Sequence, residues 1–208
     1  MSSGQYDKAE TSPFMLIREI ETLAKNEVPA CLDEYCRRTG LKPWQLLEEA
    51  AYQFFRTVLM LNTHRMGAEA LFEHEPEGLV LSAQSNPPLA LLYECKARKD
   101  GYKVESDEGL RYCDYIRDKR KVVRVRHSLE LTHFCIIAPS FGGDTEARIQ
   151  HIEQEGVVVS FVPAELLSAV AAHADGLTWA DVQLVNLAKL FPRGVLGTNH
   201  IEAAFPLA

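Results

Sequence analysis

Long apolar runs are missing. No stretch approaches the roughly 18 uncharged residues that a membrane span needs, so no contact with a bilayer is expected. Cysteine is scarce and unpatterned: Cys31, Cys36, Cys95, Cys113 and Cys135 form no CxxC pair and are odd in number. No HExxH and no Cys/His cluster accompanies them, so zinc is not indicated. With no secretory leader at the start, a cytoplasmic protein with reduced core thiols is the expectation. Internal repeats and low-complexity segments are absent too. What remains is globular material, 208 residues that are 47% hydrophobic and 25% charged, enough for one core without staples.

Positive charge is also short, since the net charge is −7, which on average argues against a polyanionic partner. The average hides a patch. Between Lys96 and Arg126 stand eleven Lys and Arg against six acids, so that stretch is +5 and the rest of the chain −12. Such a run is commonly a solvated face, yet it also suits contact with phosphate.

The first dozen residues, MSSGQYDKAETS, are polar and expected to fray. Helical spacing runs from Pro13 to Lys25, and a second helix is expected from Pro29 to Arg38, stopped by Thr39-Gly40. A third starts at Pro43 and sets Leu46, Leu47, Ala50, Phe54, Val58 and Leu61 on one side. The period then changes. GLVLSA (78–83) and LALLYEC (89–95) read as two strands, with SNPP between them as the turn of a hairpin. Asp107 is the expected N-cap of a helix to about Lys119, and HFCIIAPSF (133–141) a buried strand. A helix at 145–155, a strand at 157–162, a helix from Pro163 to Ala174 and a closing helix capped by Thr178 complete the pattern. The class is α/β, a mixed sheet flanked by helices.

One strand ends oddly, in LALLYECK. A lone Glu-Lys pair at a strand end is usually a surface ion pair worth about 0–1 kcal/mol. The preceding strand gives it another meaning. Glu77 opens that strand and Glu94 nearly closes the next, so an antiparallel hairpin brings them side by side. Alternation puts Glu94 and Lys96 on one face and turns Cys95 away. Two hard carboxylates with a backbone carbonyl suit Mg²⁺, and a neighbouring amine can position water or stabilise charge on a phosphate. Phosphodiester hydrolysis needs that set.

Pro76-Glu77, a gap, then Glu94-Cys95-Lys96 resembles the PD-(D/E)xK nuclease signature, and the chain resembles the cleavage domain of FokI-type restriction endonucleases. The likeness extends through EPEGLVL, ECKARKDGYKV, Arg111-Tyr112, the HFCIIAPSFGGDTEARIQHIEQEGVVVSFVPAELL segment and LTWADVQLVNLAKLF. It covers roughly residues 28 to 191 and implies a restriction-endonuclease-like fold. Residues 1–12 are then a flexible N-terminus and 13–208 one nuclease-like domain: an opening helical segment (13–45), a catalytic core (46–191) and a C-terminal tail (192–208).

The resemblance further implies a Mg²⁺-dependent DNA endonuclease, with Mn²⁺ able to substitute, in restriction, defence or DNA processing. Glu77, Glu94 and Lys96 would be catalytic. Glu77, Glu94 and the Cys95 carbonyl would hold the metal, with Glu48 as a further ligand and Glu49 beside it. The family has Asp where Glu77 stands, and the added methylene must fold back; activity is expected to survive. Arg98, Lys99, Lys103, Arg117, Lys119, Arg120, Lys121, Arg124 and Arg126 are the expected DNA contacts. No aromatic is interleaved regularly with the basic run, so stacking of an unpaired strand is not indicated. His74 reads as an exposed loop residue and His133 as structural. The chain has no room for a separate sequence-reading domain, so target choice would come from a partner protein, DNA structure or dimer geometry. A homodimer through the helix around Asp107–Asp118 is expected. Two other readings stand beside this one. One is a catalytically silent module that binds DNA or a partner. The other is a dimeric regulator, since VPACLDEYCRRTGLKPWQLLEEAAYQFF also resembles a ribbon-helix-helix pattern.

Overall fold

The computed structural model describes residues 13–66, 75–85 and 87–205, so the expectations for the first dozen residues and for His74 lie outside it. Short helices lead: α1 (Pro13–Arg18), α2 (Ile20–Ala24), a 3-10 turn (Ala30–Leu32), α3 (Asp33–Thr39) and α4 (Pro43–Gln53). Six strands follow: β1 (Asn62–Arg65), β2 (Gly78–Ser82), β3 (Leu89–Cys95), β4 (Leu131–Ala138), β5 (Val158–Pro163) and β6 (Gly194–Val195). Between and after them run α5 (Ser106–His127), α6 (Thr145–Glu153), α7 (Ala164–Ala174), α8 (Trp179–Gln183), α9 (Leu187–Leu190) and α10 (Thr198–Ala204). Strand order follows the chain, β1 to β3 antiparallel and β3 to β6 parallel, giving the expected mixed sheet. No helix among the described residues is long and apolar enough to cross a membrane.

The sheet has a core on each face. Tyr93, Cys95, Cys135 and Ile137 pack with α1, α2, α4 and α7, while Leu92, Phe134, Ile136 and Phe161 pack with Tyr112 and Ile116 of α5 and Ile149 of α6. Burial on both faces explains why β3 and β4 read as continuous apolar runs. The alternation inferred for β3 holds: Cys95 lies in the first core, and Lys96 stands over the Tyr112 ring of α5, 5.8 Å from its centroid.

Several boundaries differ from the expectation. The first helix breaks at Glu19, and the second opens as the 3-10 turn before α3. The third becomes π-helical over Phe54–Val58, a widened turn that leaves Phe54 and Phe55 both fully buried. The closing helix splits because Asn186 is extended and its side chain accepts from the Lys189 N–H, starting α9 afresh. Helix α5 starts from Glu105 as its N-cap residue rather than from Asp107, and it runs to His127. It continues past Lys119 because Lys and Arg are good helix formers and Val123 stays buried; Ser128 ends it with φ 56°. Strand β1, the two-residue β6 and α10 were not anticipated, since β1 (NTHR) shows no apolar alternation.

Candidate active site

The β2–β3 hairpin pairs Gly78 with Tyr93, so one step further out Glu77 lies across from Glu94. Glycine at position 78 makes room for Tyr93: a Cβ there would overlap the Tyr93 ring unless that side chain moved. The Met66 N–H donates to the Glu77 carbonyl at 3.0 Å, which fixes the backbone of Glu77 against the end of β1. Glu48 arrives from α4, and its carboxyl group is hydrogen-bonded to that of Glu77. The longer side chain at position 77 is thus accommodated inside the cluster.

Glu94 is 4% exposed and its Oε2 has no hydrogen-bond partner, while Oε1 accepts from Lys96 Nζ at 2.7 Å. Burial and crowding disfavour ionisation throughout. Burial first, then Glu94, pushes Glu48 up to about 7. Burial, then Glu94 and Glu48, pushes Glu77 up to about 9. Burial also raises Glu94, although Lys96 pulls the other way. The Glu48–Glu77 contact is therefore a shared proton, donated by Glu77.

Lys96 is held from a second side. Glu108 of α5 lies 3.8 Å from Nζ, accepts from Tyr102 Oη at 2.8 Å and pairs with Arg111 at 3.4 Å. Tyr102 and Tyr112 join their hydroxyls at 2.6 Å, and burial drives both phenols far up, keeping them neutral. Gly101 makes this geometry possible. With φ +85° it turns the chain after β3 so that the Tyr102 N–H reaches the Ser140 carbonyl at 2.8 Å. Tyr102 and Tyr112 stand in segments quoted above without a role at the site and Glu108 was not singled out, because only the folded loop and α5 bring the three to Lys96.

Among the described residues no three His, Cys, Asp or Glu side chains already converge on a common cation position. The donor set nonetheless fits a hard divalent ion. The bare Glu94 Oε2 and the crowded Glu48 and Glu77 are oxygen donors whose mutual repulsion a cation would cancel. Glu49, the alternative to Glu48, is committed elsewhere: it pairs with Arg65 of β1 and accepts from Gln53 at 2.7 Å. Arg65 also lies over the Tyr52 ring at 4.2 Å and interacts with Glu48; nothing in NTHR marked it for this place.

The nine expected phosphate contacts divide in two. Arg98, Lys99, Lys103, Lys121 and Arg126 are exposed. The other four face acids of the chain: Arg117 meets Asp114 and Glu155, Lys119 meets Glu75, and Arg124 meets Glu130, while Arg120 donates to the Glu155 carbonyl. His133 is buried against Thr132 and held neutral, its pKa lowered to about 4 by desolvation, as a structural residue would be. All five cysteines are unbridged, and only Cys31 is exposed.

The family described as "FokI, cleavage domain" matches residues 18–191. The chain belongs to the FokI cleavage-domain family. Two solved structures share the fold. The restriction endonuclease FokI matches at 15% identity and a TM-score of 0.66, over 91% of this chain and 32% of its own. FokI bound to DNA matches at 16% and 0.61, over 89% and 34%. This chain spans about a third of the length of those proteins. No curated protein matches it.

Proposed function

We propose that the protein is a divalent-metal-dependent DNA endonuclease. The carrying observation is the meeting of Glu48, Glu77 and Glu94 with Lys96 at the end of the β2–β3 hairpin, in a member of the FokI cleavage-domain family. Glu77 and Glu94, with Glu48 and the Cys95 carbonyl, would hold Mg²⁺ or Mn²⁺. When bound, that ion supplies Lewis-acid stabilisation of the phosphate undergoing attack. Lys96, steadied by Glu94 and Glu108, directs its ammonium at the same phosphate or at the incoming water, which attacks in line. The buried tyrosines keep bulk water off the lysine's rear face. Arg98, Lys99 and Lys103, exposed on the loop after β3, would grip the backbone near the scissile bond.

One such centre cuts one strand, so a duplex break needs two copies. The α5 face carrying Asp107, Leu110, Arg111 and Asp114 suits a homodimer, because Leu110 is 58% exposed between charges of both signs. Target choice would then rest with a partner protein or with DNA structure. The test is supercoiled plasmid with Mg²⁺ or Mn²⁺, beside Lys96→Ala and Glu94→Ala. Nicking or linearisation by the wild type alone is expected. A folded wild type that leaves plasmid intact with both metals would instead favour a silent DNA-binding module.

A further inference from the structure

Beside the carboxylate cluster a groove of about 680 Å³ runs between β1 and the C-terminal half of α5. Its walls carry Arg65, Lys119 and Arg126; Arg65 pairs with Glu49 and Lys119 with Glu75, which leaves Arg126 to face the groove without an acid among the described residues. It begins at the site: Glu75 stands two residues before Glu77, and Arg65 interacts with Glu48. Arg126 and His127 also line a second hollow of about 540 Å³, together with Asn62, Ser82 and Trp179.

The aromatic faces along this path come from segments far apart in the chain. His64 of β1 and His127 of α5 face each other with ring centroids 5.6 Å apart. Trp179, at the start of α8, is 56% exposed, and no ring partner is found for it among the described residues. Arg126 makes no ion pair among the described residues, and it sits where the two hollows meet. An exposed indole and a guanidinium without an ion pair, lining one hollow, form the pairing that binds an unpaired base and its phosphate. Duplex DNA offers no base face for such a stack.

We propose that this groove holds an unpaired DNA strand leaving the scissile centre, with Trp179 as stacking platform and Arg126 as phosphate contact. The direction of travel rests on the nuclease reading; binding of the strand does not. The occupant is single-stranded DNA, which gives the protein a preference for flaps, gaps or frayed ends over intact duplex. The linear order of residues hid this, because Trp179 enters from α8 rather than from within the basic run.

Only Trp44 and Trp179 are present, so Trp44→Phe leaves Trp179 as the sole indole reporter. The experiment titrates this full-length variant, in EDTA, with an oligonucleotide of about 12 nucleotides and with a hairpin duplex of the same sequence. Quenching of Trp179 by the single strand at lower concentration than by the hairpin is expected. By fluorescence anisotropy of a labelled strand, Trp179→Ala should bind about tenfold more weakly. Arg126→Ala should bind a few fold more weakly, with its log–log salt slope shallower by about one. Equal binding of strand and hairpin, or full affinity in both variants with folding intact by circular dichroism, overturns the proposal. So does a single strand that binds without quenching Trp179. Because metal is absent, a protein that fails to cut plasmid can still pass this test, and one that cuts can still fail it.

Discussion

Two charged regions of this protein use the same side chains to opposite effect. On the second half of α5, Arg117 meets Asp114 and Glu155, Lys119 meets Glu75 and Arg124 meets Glu130, and the Arg117 and Arg124 pairs lie at the surface. At the end of the β2–β3 hairpin, the buried Glu94 and the half-buried Glu48 and Glu77 crowd around one lysine, and one Glu94 oxygen has no partner. Exposed, satisfied pairs contribute little to stability, whereas buried like charges cost it. A fold keeps such an arrangement where something outside the chain completes it. Crowding, more than charge, separates the candidate site from the basic helix.

The comparison predicts its largest effect on activity. Lys96→Ala should lower plasmid cleavage by roughly 10²–10⁴, whereas Arg124→Ala should leave the cleavage rate of a saturated reaction nearly unchanged. A gel assay of nicking rates measures both, and equal losses would erase the distinction between the regions.

Next comes the pH dependence of stability without metal. Glu48 and Glu77 carry folded pKa values of about 7 and about 9, above the ordinary 4.5. The folded protein therefore holds protons that the unfolded chain releases. Stability is full below about pH 4.5 and falls as pH rises through those two values. Between about pH 5 and pH 8 the loss should amount to several kcal/mol by urea unfolding in EDTA, and Glu77→Gln should flatten it. A midpoint that rises over that range would contradict the crowding.

Gly78→Ala should cost about 1–3 kcal/mol, read as a lowered urea midpoint, because Tyr93 must move to admit the methyl. The smallest effect belongs to the surface: Arg124→Ala should leave the same midpoint nearly unchanged.

Much of the site was legible in the sequence because it rests on local rules. Period-two alternation put Glu94 and Lys96 on one face, and hairpin pairing set Glu77 opposite Glu94. Glu48 was within reach because α4 reads as an amphipathic helix with a clear start at Pro43. What escaped depends on long-range closure. Glu108 reaches Lys96 only after Gly101 turns the chain, and Arg65 sits on an edge strand too polar to announce itself. The engagement of Arg117 and Lys119 was hidden for the same reason, since Glu155 and Glu75 lie far off in the sequence. Charge counted along a chain says where cations are, and the fold decides which remain available.

The most direct test of the central claim is calorimetric titration of the protein with Mn²⁺ near pH 7.5, in two buffers of different ionisation enthalpy. Binding accompanied by release of about one proton, and abolished in Glu94→Gln, is the predicted result. Absence of binding to a folded wild type, or equal binding by Glu94→Gln, would show that the buried carboxylates are not a cation site.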